Sequence, residues 1–257
     1  MTNKKTYFIS DVHLGAPALN NNPEREKLFV SWLEEVGKDA SEIFMLGDIF
    51  DFWYEYKKVV PRGFVRTLGK IAELTDKGIP VHYFTGNHDV WVYDYLPSET
   101  GVIVHRENYI HTIGDKVFYL GHGDGLDPNE KGYLLLKRLF TSKTAQFFFS
   151  RLHPNIALWF GHKWAKNSRI SKGTAPEFCK DIEKEPAIQF AKNYSLKNKV
   201  DYYIFGHRHI LLEEEIKPDV KVFMLGEWFN FFSYAVFDGN KVELKKIESH
   251  NVSSVLL

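Results

Sequence analysis

The chain has 257 residues, 44% of them hydrophobic and 26% charged, enough to bury a sizeable core, which excludes a disordered, fibrous or low-complexity protein. Its 33 Lys and Arg balance 33 Asp and Glu, so no overall charge recruits nucleic acid or a membrane, and a single cysteine, Cys179, excludes an internal disulfide framework and a cysteine-built zinc site. No apolar run reaches the roughly 18 residues of a membrane span, and residues 1–11 hold no apolar signal core, so a soluble intracellular protein is expected.

In chain order, β-branched and aromatic residues predict a first strand over 6–10, which ends in Asp11-Val12-His13. Leu28, Phe29, Trp32, Leu33 and Val36 recur at three- and four-residue spacing and predict a helix over 24–36. A second strand over 42–46 ends in Gly47-Asp48. A helix over 64–75 leads to a strand over 80–85 that runs into Gly86-Asn87-His88-Asp89. A strand over 116–120 ends in Gly121-His122-Gly123-Asp124. A helix over 176–198 precedes a strand over 201–205 ending in Gly206-His207-Arg208-His209, and a further strand covers 222–225. Strands alternating with helices predict an α/β fold with a sheet covered on both faces.

Taken singly, an Asp-x-His turn or a Gly-Asp helix cap is ordinary structure. Five such blocks at successive strand ends have no structural motive, and ligands of open α/β sheets bind beyond the carboxyl ends of the strands. The other histidines, His82, His105, His111, His153, His162 and His250, fall outside the blocks and are read as core or surface residues, and Cys179 as packing. The intervals Asp11–Asp48, Asp48–Asn87 and Asn87–His122 each suit a strand-helix-strand unit. That from His122 to His207 is about twice as long, which implies an insertion beside the site.

That insertion, residues 127–175, is expected to be a helical lid within a single domain spanning 1–257. From Lys131 to Lys172 nine residues are Lys or Arg and none is Asp or Glu, so the neutral total hides a segment of +9. Leu135, Leu136, Leu139 and Phe140 recur at helical spacing, as do Ile156, Trp159, Phe160 and Trp164. Repeated basic charge attracts the phosphates of lipid headgroups or nucleic acid, while the Leu and Phe runs suit acyl chains better than stacked bases.

Oxygen and nitrogen ligands without thiolate suit Mn²⁺, Fe²⁺ or Zn²⁺, with Mn²⁺ favoured as carboxylate and amide become prominent. Four histidines, two aspartates and an asparagine exceed the needs of one ion, so two divalent ions are expected, with Asp48 as the shared carboxylate.

The five blocks, in this order and spacing, resemble the calcineurin-like metallophosphoesterases. That resemblance implies a four-layer α/β/β/α sandwich. It implies one ion held by Asp11, His13, Asp48 and His209 and another by Asp48, Asn87, His122 and His207. It also implies that His88 acts on the substrate phosphate, with Asp51 orienting its ring. A narrower resemblance covers nearly the whole chain. Ile9-Ser10-Asp11-Val12-His13-Leu14, residues 46–53, His122-Gly123-Asp124-Gly125-Leu126 and Leu225-Gly226-Glu227-Trp228 are similar to the UDP-2,3-diacylglucosamine pyrophosphohydrolase family of lipid A biosynthesis. It implies hydrolysis of a nucleotide-linked lipid to UMP and a diacylated sugar 1-phosphate. It further implies a lid that receives acyl chains, peripheral contact with the anionic cytoplasmic face of the inner membrane, and no nucleic-acid partner. By position Asn87, His88, Glu130, Ser168, Lys172, His207 and Arg208 would line the substrate pocket. The chain departs from proteobacterial members of that family at His88, where they carry Arg, at Arg208, where they carry Thr, and at 127–130. Two other readings stand beside this one: a metallophosphodiesterase acting on nucleic acid or a cyclic nucleotide, and a non-catalytic metal-binding scaffold, which would be marked by a missing ligand.

Overall fold

The computed structural model describes residues 4–19, 21–127, 131–172, 179 and 181–247, with the backbone alone for 165–172. The elements in chain order are β1 (Lys5–Ile9), α1 (Asn22–Val36), β2 (Ala40–Met45), α2 (Val65–Asp76), β3 (Val81–Phe84), α3 (Tyr95–Thr100), β4 (Ile103–His105), β5 (Tyr109–Ile113) and β6 (Lys116–Leu120). Three helices follow, α4 (Lys131–Thr141), α5 (Lys143–Phe149) and α6 (Pro154–Lys172). Then come α7 (Pro186–Tyr194), β7 (Tyr202–Phe205), β8 (Leu211–Lys217), β9 (Val220–Leu225), β10 (Ser233–Phe237) and β11 (Val242–Lys246).

There are two sheets rather than one. The first runs β11-β10-β1-β2-β3-β4 and the second β5-β6-β7-β9-β8. Strands β1 to β4 are parallel, as are β6, β7 and β9, with antiparallel strands at the margins. Alternation along β1 shows why. Tyr7 and Ile9 point to one face, against Leu28, Phe29, Trp32 and Leu33 of α1 and Ile71 and Leu74 of α2. Phe8 points to the other, into a layer with Phe44, Phe84, Phe118, Ile204 and Phe223 drawn from both sheets. On the far side, Ala187, Ile188 and Ala191 of α7 pack on Tyr203, Phe205 and Val222. The order of layers is helix, sheet, sheet, helix, the sandwich implied by the resemblance. The expectation of one sheet with helices on both faces is corrected: each sheet gives one face to helices and the other to its partner sheet.

The helix expected over 176–198 is also shorter than its apolar pattern. Residues 176–178 and 180 lie outside the described residues, Ile182–Lys184 form a 3-10 turn, and α7 begins at Pro186. A proline is accommodated at a helix start, where its fixed φ is pre-set and no N–H is needed, but would break a helix interior.

Helices α4 to α6 rest on an aromatic shelf. Phe52, Tyr54 and Trp91 pack with Phe140 of α4, Phe149 of α5 and Leu158 of α6. Trp91 Nε1 donates to Phe140 O at 3.0 Å, and Tyr54 OH to Gln146 O at 3.3 Å. Residues 128–130 and 173–175 of the expected insertion lie outside the described residues.

Candidate metal centre

The carboxyl ends of β1, β2, β3, β6 and β7 meet at one point. Past β1 the backbone runs beside that past β2, with Asp11 N donating to Gly47 O, His13 N to Asp48 O and Leu14 N to Ile49 O. The second sheet joins through His207 N, which donates to Asp11 Oδ2 at 2.9 Å, while within that sheet Gly206 N donates to His122 O at 2.9 Å. The approach is close enough that a Cβ on Gly86 would overlap the Asp48 carboxylate, and one on Gly206 would overlap Ser10 and Asp11.

Five of the seven residues expected as ligands adopt left-handed backbone conformation: Asp11 (φ 52°), His13 (48°), Asp48 (54°), His207 (65°) and His209 (54°). Such conformations are uncommon outside glycine and persist only where the surroundings enforce them, which is typical of functional sites. Here the enforcing contacts are buried. Asp89 accepts from Gly86 N at 2.7 Å, Ile49 N at 2.9 Å, Asp48 N at 3.3 Å and Tyr83 OH at 2.5 Å. Arg25 donates from α1 to Val12 O, to His13 O at 3.3 Å and to Trp228 O at 3.3 Å. Glu227 accepts from the amides of Phe229 and Asn230, both at 2.8 Å, and fixes the loop that lays Phe229 against His13 and His209.

The side chains form two groups that share one carboxylate. In the first, His13 Nε2 and His209 Nε2 are 3.1 Å apart, and Asp11 Oδ1 lies 3.6 Å and 3.2 Å from them. In the second, Asn87 Oδ1 lies 2.8 Å from His207 Nδ1 and 3.2 Å from His122 Nε2. Asp48 Oδ2 stands between, 3.4 Å from His122 Nε2 and 3.9 Å from His13 Nε2. Asp11, His13 and His209 place ligand atoms within 4.8 Å of one another, as do Asp11, Asp48 and His122. Nδ1 of His122 faces Leu46 O at 2.8 Å and so turns Nε2 toward the centre, the outer hydrogen bond expected of a metal-binding imidazole.

The electrostatics agree with a cation site. Burial opposes charge on Asp11 and Asp48, yet the surrounding imidazoles hold both carboxyl groups below the usual carboxylate range. Burial also opposes charge on His122, but Asp48 and Asp11 push its pKa up to about 10. A field that keeps a proton on a fully buried imidazole is one that a divalent cation satisfies. Imidazole nitrogens, carboxylates and an amide oxygen converging on two adjacent points fit a pair of divalent ions.

His88 points its Nε2 toward Asp48 Oδ2 at 4.0 Å, and its backbone N donates to Asp48 Oδ1 at 2.8 Å. Asp51 meets the His88 ring through its backbone, not its carboxylate: His88 Nδ1 donates to Asp51 O at 2.7 Å, while the Asp51 carboxylate is 4.0 Å away and lies nearer His13 Nδ1, at 3.3 Å. Arg208 is not in the wall of either large cavity beside the centre. Its guanidinium turns to Glu185, with Nε 2.9 Å from Oε1, because that buried carboxylate needs a cation. Glu130 and the side chains of Ser168 and Lys172 lie outside the described residues.

Two cavities open onto the centre. One, of about 500 Å³, is lined by Asn87 and His207 together with Arg106, Tyr133, Lys137 and Lys143. The other, of about 300 Å³, is almost wholly apolar, with Phe52, Trp91, Leu139, Phe149 and Phe160 around Asn87 and His88. Leu136, Phe140, Gln146 and Trp164 border both.

A family model for the calcineurin-like phosphoesterases matches residues 4–211, and the chain belongs to that family of metal-dependent hydrolases. It is 40% identical over 256 residues to a UDP-2,3-diacylglucosamine hydrolase of Porphyromonas gingivalis, covering 95% of this chain and 98% of that one. It is 27% identical over 227 residues to the protein of the same name from Histophilus somni, covering 88% and 92%. Among solved structures, an Escherichia coli phosphoesterase, Yfce, aligns with a TM-score of 0.47 at 14% identity, over 95% of this chain and 94% of that one.

Proposed function

We propose that this protein hydrolyses the pyrophosphate bond of UDP-2,3-diacylglucosamine to UMP and 2,3-diacylglucosamine 1-phosphate. The observation that carries the reading is the pairing of cavities at one centre: a cationic one suits the nucleotide and its phosphates, an apolar one suits acyl chains, and both reach Asn87. The name shared by relatives that align along nearly the whole chain supports it.

Asp11, His13, Asp48 and His209 would hold one ion and Asp48, Asn87, His122 and His207 the other, with Mn²⁺ favoured by the carboxylate and amide oxygens among the donors. Bound there, the two ions would activate water and neutralise charge on the phosphoryl oxygens. The chain's own groups do the remainder. His88, whose Nδ1–H is committed to Asp51 O, presents Nε2 to the substrate phosphate, where it stabilises charge or passes a proton to the leaving oxygen. Helices α4 to α6 act as a lid of the same domain, the apolar cavity holding acyl chains and shielding the reacting bond from bulk water.

No helix among the described residues is long and apolar enough to cross a membrane. Leu135, Phe148 and Trp159 are nonetheless well exposed on the basic helices, which supports peripheral contact with the anionic cytoplasmic face of the inner membrane.

Purified, manganese-loaded protein is expected to release UMP from UDP-2,3-diacylglucosamine, followed by chromatography. A substrate left intact under those conditions overturns the reading.

A further inference from the structure

The larger cavity contains a cation that the chemistry above leaves unused. Thr85, the residue after β3, donates its N–H to His105 O at 3.0 Å, so the chain leaving β4 is bound alongside the Gly86-Asn87-His88 turn. The next residue is Arg106, and it lines the cavity with Asn87 and His207.

The guanidinium is held from behind. Nη1 donates to Val92 O at 2.7 Å and Nη2 to Tyr93 O at 3.4 Å. A guanidinium has five N–H groups in a fixed fork, and two carbonyls engage two of them. Among the described residues no carboxylate pairs with Arg106. The acid in the same wall, Asp124, is engaged by Lys137 at 2.5 Å and by Tyr133 OH at 2.6 Å. Arg106 therefore combines full charge, an orientation fixed by backbone, a position beside the centre and no paired anion among the described residues. Those properties suit a planar, bidentate phosphate contact better than a mobile lysine would.

We propose that Arg106 binds the second phosphate of a pyrophosphate-linked substrate, the one that does not sit at the metal centre, and so sets the preference for a diphosphate over a monophosphate. The inference rests on the pyrophosphate reading above and adds to it a specificity-determining residue.

Direct binding keeps the two claims separable. The full-length, manganese-loaded protein is titrated calorimetrically with UDP and with UMP. The native chain is expected to bind UDP at least about 10-fold more tightly, the scale of a charge-assisted phosphate contact. Arg106→Gln is expected to erase that preference while leaving UMP affinity within about threefold, and Arg106→Lys to restore part of it. In steady state, Arg106→Gln lowers kcat/KM for the lipid nucleotide about 10–100-fold, with the melting temperature unchanged. A native chain without preference for UDP, or an Arg106→Gln variant that keeps it, overturns the proposal. Failure of the native chain to cleave the lipid nucleotide while the UDP preference still depends on Arg106 overturns the substrate reading alone.

Discussion

Lys137 Nζ lies 2.5 Å from Asp124 Oδ2, which ties helix α4 to the loop that carries His122. Tyr133, one turn earlier on the same helix, donates to that carboxylate at 2.6 Å and lays its ring 5.7 Å from His207. The helix over the cavity is thus fastened beside the second group of candidate ligands. Lys137 is 40% exposed, so the ion pair alone contributes only about 0.5 kcal/mol. Lys137→Ala should raise hydrogen exchange in α4 by about twofold. Asp124→Asn, which weakens both contacts to a buried group, should raise it more, with β1 to β3 unaffected in either variant. Equal protection in all three proteins would show that the fastening lies elsewhere.

His88 is the clearest separation of chemistry from metal binding. It approaches Asp48 but lies outside both proposed ligand sets. His88→Ala is expected to reduce kcat by about 10²–10⁴-fold, the range for a positioned proton donor or charge stabiliser. Bound manganese, measured by elemental analysis, should stay at two per chain. Loss of an ion in this variant would make His88 a ligand, through the group it forms with His13 and Asp51, whose ligand atoms lie within 4.8 Å of one another.

The candidate metal-binding blocks were legible because each is a run of polar residues set against the end of an apolar strand, in a fixed order and spacing. Arg25 was not, for the opposite reason. It lies on the helical stripe of Leu28, Phe29 and Trp32, where a cation reads as an interruption of a core face. Only the folded chain shows that the stripe faces carbonyls of the Val12–His13 turn. The edge and antiparallel strands β4, β5, β8, β10 and β11 were hidden as well, since they are short or polar and gain their identity from the strands they pair with rather than from a pattern of their own. Glu130, Ser168 and Lys172 came from family position alone, and no local pattern carries them.

Arg25 also yields a stability prediction. It is 4% exposed and donates to three backbone carbonyls on two loops. Arg25→Met fills similar volume but leaves those carbonyls short of a donor, a loss of about 2–4 kcal/mol. Denaturant midpoints should fall accordingly, and manganese affinity should fall about 10–100-fold as the turn holding His13 relaxes, the usual scale for an outer contact of a metal site. Arg25→Lys should recover part of both.

Acid sensitivity has a source away from the centre. At the margin between the sheets, Glu42 Oε2 is 3.0 Å from His111 Nε2 and 3.6 Å from His82 Nε2, and His82 Nδ1 is 2.9 Å from His105 Nε2. Burial opposes charge on Glu42, but hydrogen bonds from His111 and His82 pull its pKa down to about 2. Burial, with the charges of His82 and His111, pulls His105 down to about 4. Both shifts act in one direction. The neutral form of His105 is favoured in the fold, so its contribution is complete above about 6.5 and fades as pH falls toward 4. That of Glu42 is complete above about 4.5 and fades toward 2. Because these groups are partly exposed, about 1–2 kcal/mol in all is a discounted expectation. The metal-free protein should lose about 2–4 °C of melting temperature per kcal/mol between pH 7 and pH 4. His105→Phe should flatten the upper part of that curve, and an unchanged slope would assign the acid loss to other groups.

The exposed apolar residues of α4 to α6 make the proposed membrane contact testable. Leu135 is 69% exposed, Phe148 67% and Trp159 60%, each within four residues of a Lys or Arg, and Lys163 lies over the Trp159 ring. In water such surface is unfavourable by about 25 cal/mol per Å², whereas at a bilayer interface it is buried while the cations meet anionic headgroups. Trp159→Ser combined with Phe148→Ser should lower partitioning onto phosphatidylglycerol-containing vesicles by about 10–100-fold, measured by flotation. Lys143→Glu should lower it by about 1–2 kcal/mol, an effect that fades at high salt because it is electrostatic. UMP and UDP affinities should stay unchanged in the aromatic variant. Equal flotation of the native and aromatic-variant chains would instead assign the exposed rings to the acyl chains of the substrate, with the helices closing over them only when it is bound.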